Sequence, residues 1–163
     1  MLSYRRAQPD DVQLYFTWAN DPDTRRQSFN SNPISLATHI TWFTGKLTDL
    51  NALLLVFENE TGKAVGQVRF ERTTIVDEWE EVIISLSIDA TERGKGLARQ
   101  LIEQGCAVCR ELWGAVAVHA YIKPDNRASV RAFEQAGFRL SAENGKFDLP
   151  GRQTSSLVYI LET

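Results

Sequence analysis

Residues Asp89-Ala-Thr-Glu-Arg-Gly-Lys-Gly-Leu-Ala98 decide the reading of this chain. They follow a β-branched run at 82–88 and precede an apolar-periodic segment at 97–112. Strand, glycine-containing basic turn and helix, in that order, make a phosphate-binding layout. Glycine lets the backbone approach an anion. The first N–H groups of the helix then point at it, and the helix dipole favours negative charge there. Two familiar phosphate loops are excluded. Gly94-Lys95-Gly96 has neither the glycine spacing nor the hydroxyl of a P-loop. A dinucleotide fingerprint needs a third spaced glycine, which is absent here.

Outward from the turn, the elements alternate between strand and helix. Residues 2–8 read as a strand, and Pro9-Asp10-Asp11 starts a helix that Asn20-Asp21-Pro22-Asp23 breaks. Ser35 caps a second helix reaching about Leu50. Residues 52–58 and 64–74 are strands around the turn Glu60-Thr61-Gly62-Lys63. Period-two alternation puts Val65, Gln67, Arg69 and Glu71 on one face, with Gly66, Val68 and Phe70 on the other. In 82–88, Val82, Ile84, Leu86 and Ile88 oppose Ile83, Ser85 and Ser87. Residues 115–122 form another strand, and Asn126 caps a helix that Gly137 ends. Residues 138–141 and 155–161 close the chain as strands, with 142–154 a polar loop. The fold class is mixed α/β, expected as one domain over 1–163.

Bulk properties narrow the function. The chain has 163 residues, 43% of them hydrophobic, and a net charge of −3. That suits a globular domain with a sizeable core. The charge argues against nucleic acid as partner, because phosphate-backbone binding leaves a basic footprint. No apolar run approaches the roughly 20 residues of a membrane helix. The N-terminus lacks a signal-peptide core, so a cytoplasmic location is expected. Cys106 and Cys109 have C-x-x-C spacing, but only His39 and His119 are available as further soft ligands. Two small apolar side chains one turn apart explain the pair better than zinc or redox chemistry, and no metal is expected.

The glycine turn resembles the acyl-coenzyme A site of the GNAT superfamily of N-acetyltransferases. That motif is Gln or Arg, two positions, Gly, one position, then Gly or Ala. Arg93, Gly96 and Ala98 match it. A second stretch, Asn126-Arg-Ala-Ser-Val-Arg-Ala-Phe133-Glu-Gln-Ala-Gly137-Phe138, resembles the later motif of the same family. The two motifs lie one helix and one strand apart, as in the family. The resemblance implies a mostly antiparallel sheet of about six or seven strands, with about four helices. It also implies that strands 82–88 and 115–122 splay apart at the cofactor site.

The resemblance further implies acetyl-CoA as co-substrate. Its pantetheine arm would pair with backbone of Leu86 and Ile88. Its pyrophosphate would rest on the N–H groups of Arg93, Gly94, Lys95, Gly96, Leu97 and Ala98, with charge added by Lys95 and Arg99. Asn126, Ser129 and Phe133 would line the far wall. Structural readings stand beside these: Asn126 is a good N-cap anywhere, and Phe133 and Phe138 suit any core.

In the family an amine attacks the thioester directly. Charge on the carbonyl oxygen would meet a backbone N–H near Leu86 or Ser87. Many relatives carry a tyrosine as acid four residues after the motif serine, where this chain has Phe133. Tyr121 is the candidate acid instead; alternatively the thiol, with a pKa of about 8.5, leaves unaided. Base candidates are Glu71, Glu81, His39 and His119, against a surface pair of Glu71 with Arg69 and a structural role for His119.

Acceptor selectivity is expected in the first third of the chain. Trp18, Phe29, Trp42 and Phe43 could stack on a sugar or base, and Arg25 could hold a phosphate. Packing of helix against sheet is the competing account of the aromatics. The segment resembles family members acting on nucleotide-linked amino sugars, and overlaps ribosomal-protein N-terminal and polyamine acetyltransferases. A small-molecule amine partner is therefore expected, in a monomer or homodimer. A non-catalytic acetyl-CoA sensor is the alternative outside enzymes.

Overall fold

The computed structural model describes residues 2–74, 80–141, 146–149 and 152–162. Its elements run β1 (Ser3–Arg6), α1 (Val12–Ala19), α2 (Pro22–Gln27), α3 (Leu36–Leu47), β2 (Ala52–Glu58), β3 (Ala64–Thr74) and β4 (Glu80–Ile88). They continue with α4 (Leu97–Trp113), β5 (Val118–Ile122), α5 (Arg127–Gln135), β6 (Arg139–Leu140), β7 (Lys146–Leu149), β8 (Arg152–Ser155) and β9 (Leu157–Leu161). Seven strands form one sheet in the order β1-β2-β3-β4-β5-β9-β6. Among the described residues, only β4 and β5 pair in parallel, and they do so at two rungs, Val82 with Val118 and Ile83 with His119. Beyond those rungs β4 stays on β3, through Ile88 opposite Gly66, while β5 follows β9 through Ile122 opposite Leu157. The sheet therefore opens between β4 and β5 towards their C-terminal ends.

Helix α4 covers one face of the sheet. Leu101, Ile102, Gly105, Cys106 and Cys109 are its buried stripe, at the spacing an amphipathic helix requires. Gly105 sets the approach distance: a Cβ there would lie 3.2 Å from Phe70 and Val68. Both cysteines are free and buried, and burial pushes the Cys106 thiol up to about 12 and Cys109 to about 11. They are inert packing groups, neither nucleophiles nor ligands at neutral pH. The other face carries a smaller core of Tyr15, Trp18, Phe43, Leu54 and Val56 beneath α1 and α3.

The structure departs from the sequence reading in three places. The residues that end α1 also begin α2: Asp21 accepts the Thr24 N–H at 3.1 Å as N-cap, and Pro22 supplies a first-turn residue with no donor to satisfy. The described helices are thus five, one beyond the expected four. Val65 leaves the face of Gln67 and Arg69 and joins the core under α4, while Ala64 packs on the opposite core. A register shift between Phe57 and Glu58 breaks the alternation there. Within the expected loop 142–154, residues 146–149 pair with 152–155 as a hairpin. The Pro150-Gly151 dipeptide between them was the available turn signal.

Candidate active site

Backbone direction defines the open edge of β4. The Asp89 N–H donates to the Val65 carbonyl at 2.8 Å. In an antiparallel pair such rungs alternate, so Ser87, Ser85 and Ile83 also direct their N–H and C=O at β3. Ile84, Leu86 and Ile88 then direct theirs towards the gap that β5 leaves. The glycine turn sits at the same end. Asp89 caps a short turn by accepting the Thr91 N–H at 3.0 Å, and the chain then reverses through Gly94 (φ +77°) and Gly96 (φ +72°). Gly96 is the N-cap of α4, left-handed, and a Cβ on it would meet nothing within 4 Å. That leaves open space over the first N–H groups of α4.

The side-chain charges around the turn are already balanced. Lys95 Nζ lies 2.7 Å from Glu92, which also holds Lys63 at 3.0 Å. Arg99 pairs with Glu103 at 2.8 Å. Arg93 reaches away from the turn to Asp21 at 2.6 Å and Asp23 at 3.1 Å. The turn therefore offers its backbone N–H groups first.

Across the gap, Asn126 caps α5 by accepting the Ser129 N–H at 3.3 Å. Phe133 is 4% exposed and packs edge-on against Phe138. It is a core residue, and its ring rather than Asn126 or Ser129 is the one withdrawn from the surface.

Helix α2 lies across the mouth of the opening. Arg93, beyond β4, bonds its first residues, and Lys123, beyond β5, donates to the Arg26 carbonyl at 2.8 Å. Both lips are thus tied to one short helix. Sequence reasoning did not find this arrangement, because the breaker residues of α1 hid the second helix.

The polar face of the sheet carries the titratable candidates. Tyr121 donates its hydroxyl proton to Glu81, which joins two residues the sequence listed under different roles. Burial, then the Glu81 bond, raise the Tyr121 pKa, so the phenol stays protonated. His119 stands on the last rung before the strands part. Its Nδ1–H donates to the Ala117 carbonyl at 3.3 Å. Glu71 is engaged by Lys46 at 2.8 Å and Arg69 at 3.7 Å. His39 is 2% exposed, donates from Nε2 to the Val12 carbonyl at 2.9 Å and stacks on Phe43; burial lowers its pKa. It belongs to the small core.

The expected acceptor residues divide. Trp18 is buried and donates to Asp89 at 2.9 Å, so it braces the glycine turn. Trp42 is half-buried, with the Arg69 guanidinium 4.9 Å from its ring centre. Phe29 is half-buried beyond α2. Arg25, on α2, bonds the carbonyls of Asn30 and Asn32 at 3.1 and 3.2 Å and Ser28 Oγ at 3.1 Å.

A splayed β4–β5 pair with a glycine turn capping the following helix is the arrangement that the resemblance to N-acetyltransferases implies. The Acetyltransferase (GNAT) domain family matches residues 2–139, and the chain belongs to that family. It is 27% identical over 148 residues to a Bacillus subtilis protein provisionally named as a phosphinothricin acetyltransferase, covering 90% of this chain and 87% of that one. It is 37% identical over 89 residues to mycothiol acetyltransferase of Propionibacterium freudenreichii, covering 52% of this chain but only 27% of that protein's length. The fold is similar to that of spermidine N-acetyltransferase from Vibrio cholerae solved with CoA and spermine, with TM-score 0.84 and 17% identity over 99% of this chain and 95% of that one. Among the described residues, no helix is long and apolar enough to cross a membrane.

Proposed function

We propose that the domain transfers an acetyl group from acetyl-CoA to a primary amine of a small molecule by direct attack. The observation that carries this reading is the parting of β4 from β5 after two rungs, at the end where Gly94 and Gly96 open the N-terminus of α4. Backbone groups left by parting strands need partners, and an amide-bearing pantetheine arm supplies them as an added strand on Leu86 and Ile88. The N–H groups of Arg93, Gly94, Lys95, Gly96, Leu97 and Ala98 suit a pyrophosphate, with Asn126 and Ser129 opposite. When bound, acetyl-CoA supplies an activated thioester.

The chain's own residues provide orientation and proton transfer. The Leu86 N–H, directed into the gap, is placed to stabilise negative charge developing on the carbonyl oxygen. The Tyr121 hydroxyl gives its proton to Glu81 and receives the amine's in exchange. His119 Nε2, on the same face, is the second base candidate. The thiolate leaves without a proton from the chain, consistent with a thiol pKa of about 8.5. Phe133 has no proton to offer. Within small-molecule amines, a nucleotide-linked amino sugar is the acceptor first expected, and a cytoplasmic setting goes with it.

Release of free thiol from acetyl-CoA over a panel of amines tests the reading. A UDP-4-amino sugar, a peptide amine and spermidine separate the acceptor classes. Tight acetyl-CoA binding with no thiol release on any amine would leave a sensor in place of an enzyme.

A further inference from the structure

Two arginines, Arg25 on α2 and Arg69 on β3, bear on the polar side of the opening, and the charge of Arg69 acts on Arg25. Arg25 leaves α2, which bridges both lips. Arg69 leaves β3 level with Ser85 of β4, one step from the buried Gln67–Ser87 hydrogen bond of 3.0 Å. Neither guanidinium has a carboxylate to itself. The partners of Arg25 are two carbonyls and a hydroxyl, with no carboxylate among the described residues. The carboxylate beside Arg69 is Glu71 at 3.7 Å, and Lys46 holds that same group at 2.8 Å. Glu71 is thus shared by two cations, and Lys46 also reaches Asp49 at 3.8 Å. The Nε–H of both arginines is buried and makes no hydrogen bond. Burial and then repulsion from Arg69 lower the Arg25 pKa, yet a guanidinium remains charged throughout the physiological range. Buried donors without acceptors destabilise, and an oxyanion between the two arginines satisfies them.

We infer that Arg25 and Arg69 form an anion subsite for the acceptor, so that the preferred substrate is a primary amine carrying a carboxylate, phosphinate, phosphonate or phosphate group. This rests on the N-acetyltransferase reading and sharpens it. The subsite accepts an amino acid or a phosphorylated amino sugar on the same principle. It disfavours polyamines, whose second ammonium would meet the surplus positive charge.

A matched series of acceptors tests the inference: β-alanine, 2-aminoethylphosphonate, β-alaninamide and propylamine, with spermidine as the cationic arm. In the wild-type protein the two anionic amines are expected to exceed the two neutral ones in kcat/KM by about 10-fold or more, mainly through KM, with spermidine lowest. Carboxylate and phosphonate arms show which oxyacid fits better. In Arg25→Gln and in Arg69→Gln the anionic-to-neutral ratio is expected to fall towards one, and Arg25→Lys to keep part of it. Equal kcat/KM across the wild-type series overturns the inference. Arg25 also ties down residues 28–32, so Arg69→Gln and the wild-type series decide if Arg25→Gln does not fold. Calorimetric titration of 2-aminoethylphosphonate into the protein reads the subsite apart from the chemistry. Binding that is lost in Arg69→Gln supports the subsite even where no amine is acetylated, in which case the transferase reading alone fails. Binding unchanged in Arg69→Gln counts against the subsite.

Discussion

Arg93 Nη2 donates to Asp21 Oδ2 over 2.6 Å, joining residues 72 positions apart and fastening the glycine turn to α2. Burial of the Asp21 carboxyl opposes its ionisation, but the Arg93 bond and the Thr24 N–H outweigh it and hold the pKa below the ordinary 3.8. The pair is partly exposed, so its contribution to stability is on the order of 1 kcal/mol or less. Its consequence is positional. Asp21→Asn keeps an N-cap while removing the charge. Asp21→Asn and Arg93→Gln are each expected to raise the acceptor KM several-fold, and the double variant to add little, as a double-mutant cycle on KM would show. Fully additive losses would mean that the two residues act separately.

Gly96 holds φ +72° over open space at the start of α4. Gly96→Glu puts bulk and negative charge where the pyrophosphate is proposed to rest, and costs about 1–2 kcal/mol of left-handed strain. Calorimetry is expected to show acetyl-CoA binding abolished while the protein stays folded by circular dichroism. Unchanged affinity would move the cofactor elsewhere.

Tyr121→Phe removes the hydroxyl bonded to Glu81. If this pair takes the amine proton, kcat falls by roughly 10²-fold or more while the acetyl-CoA KM holds. Glu81→Gln should match it, and the two together should be no worse than either. A large loss in His119→Gln, with Tyr121→Phe nearly normal, would assign the base to His119 instead.

His39 provides a stability signal separate from catalysis. Burial depresses its pKa below the ordinary 6.5. The folded state thus binds fewer protons than the unfolded one as pH falls through 6.5, and stability declines until the folded pKa is passed. His39→Gln keeps a donor for the Val12 carbonyl and removes the titration. Urea midpoints between pH 7.5 and 5 are expected to fall in the wild type and to flatten in the variant. Asp11, held low chiefly by its bond to Arg5, acts in a different window: its contribution is complete above pH 3.8 and is lost as pH falls through its folded value.

Gly66 reports on packing. A Cβ there would lie 2.7 Å from the Ser87 carbonyl oxygen and 2.9 Å from Leu101. Backbone cannot yield as a side chain can, so Gly66→Ala is expected to destabilise by about 1–3 kcal/mol in urea unfolding. A neutral result would show that β3 and β4 can shift apart.

The fold was legible where a local pattern carries it. The stripe of α4 is written at helical spacing, Asn126 and Ser35 announce their helices, and Arg93 to Ala98 and Asn126 to Phe138 identify the family. The bulge at Phe57 and Glu58 was not legible, since a register shift depends on a partner strand. The pairing of Arg93 with Asp21, of Tyr121 with Glu81 and the grouping of Arg25 with Arg69 were hidden for a similar reason. Each joins segments at least 40 positions apart, and nothing local to either segment encodes the other. Alternation placed Arg69 on the polar face, but only the structure shows that it shares the Glu71 carboxylate with Lys46.

Among the described residues, two rungs, at Val82–Val118 and Ile83–His119, stitch β1–β4 to β5, β9 and β6 through the sheet. The sheet is thus two sets of strands sharing a short seam above one common core, and a ligand along that seam, as proposed for acetyl-CoA, would act as mortar. Its binding energy adds directly to resistance against unfolding, about 2.7 kcal/mol at a hundredfold excess over Kd. Amide exchange in β5 and β9 should accordingly slow when the donor is present, so the level of acetyl-CoA would set how long each copy of the protein survives as well as how fast it works.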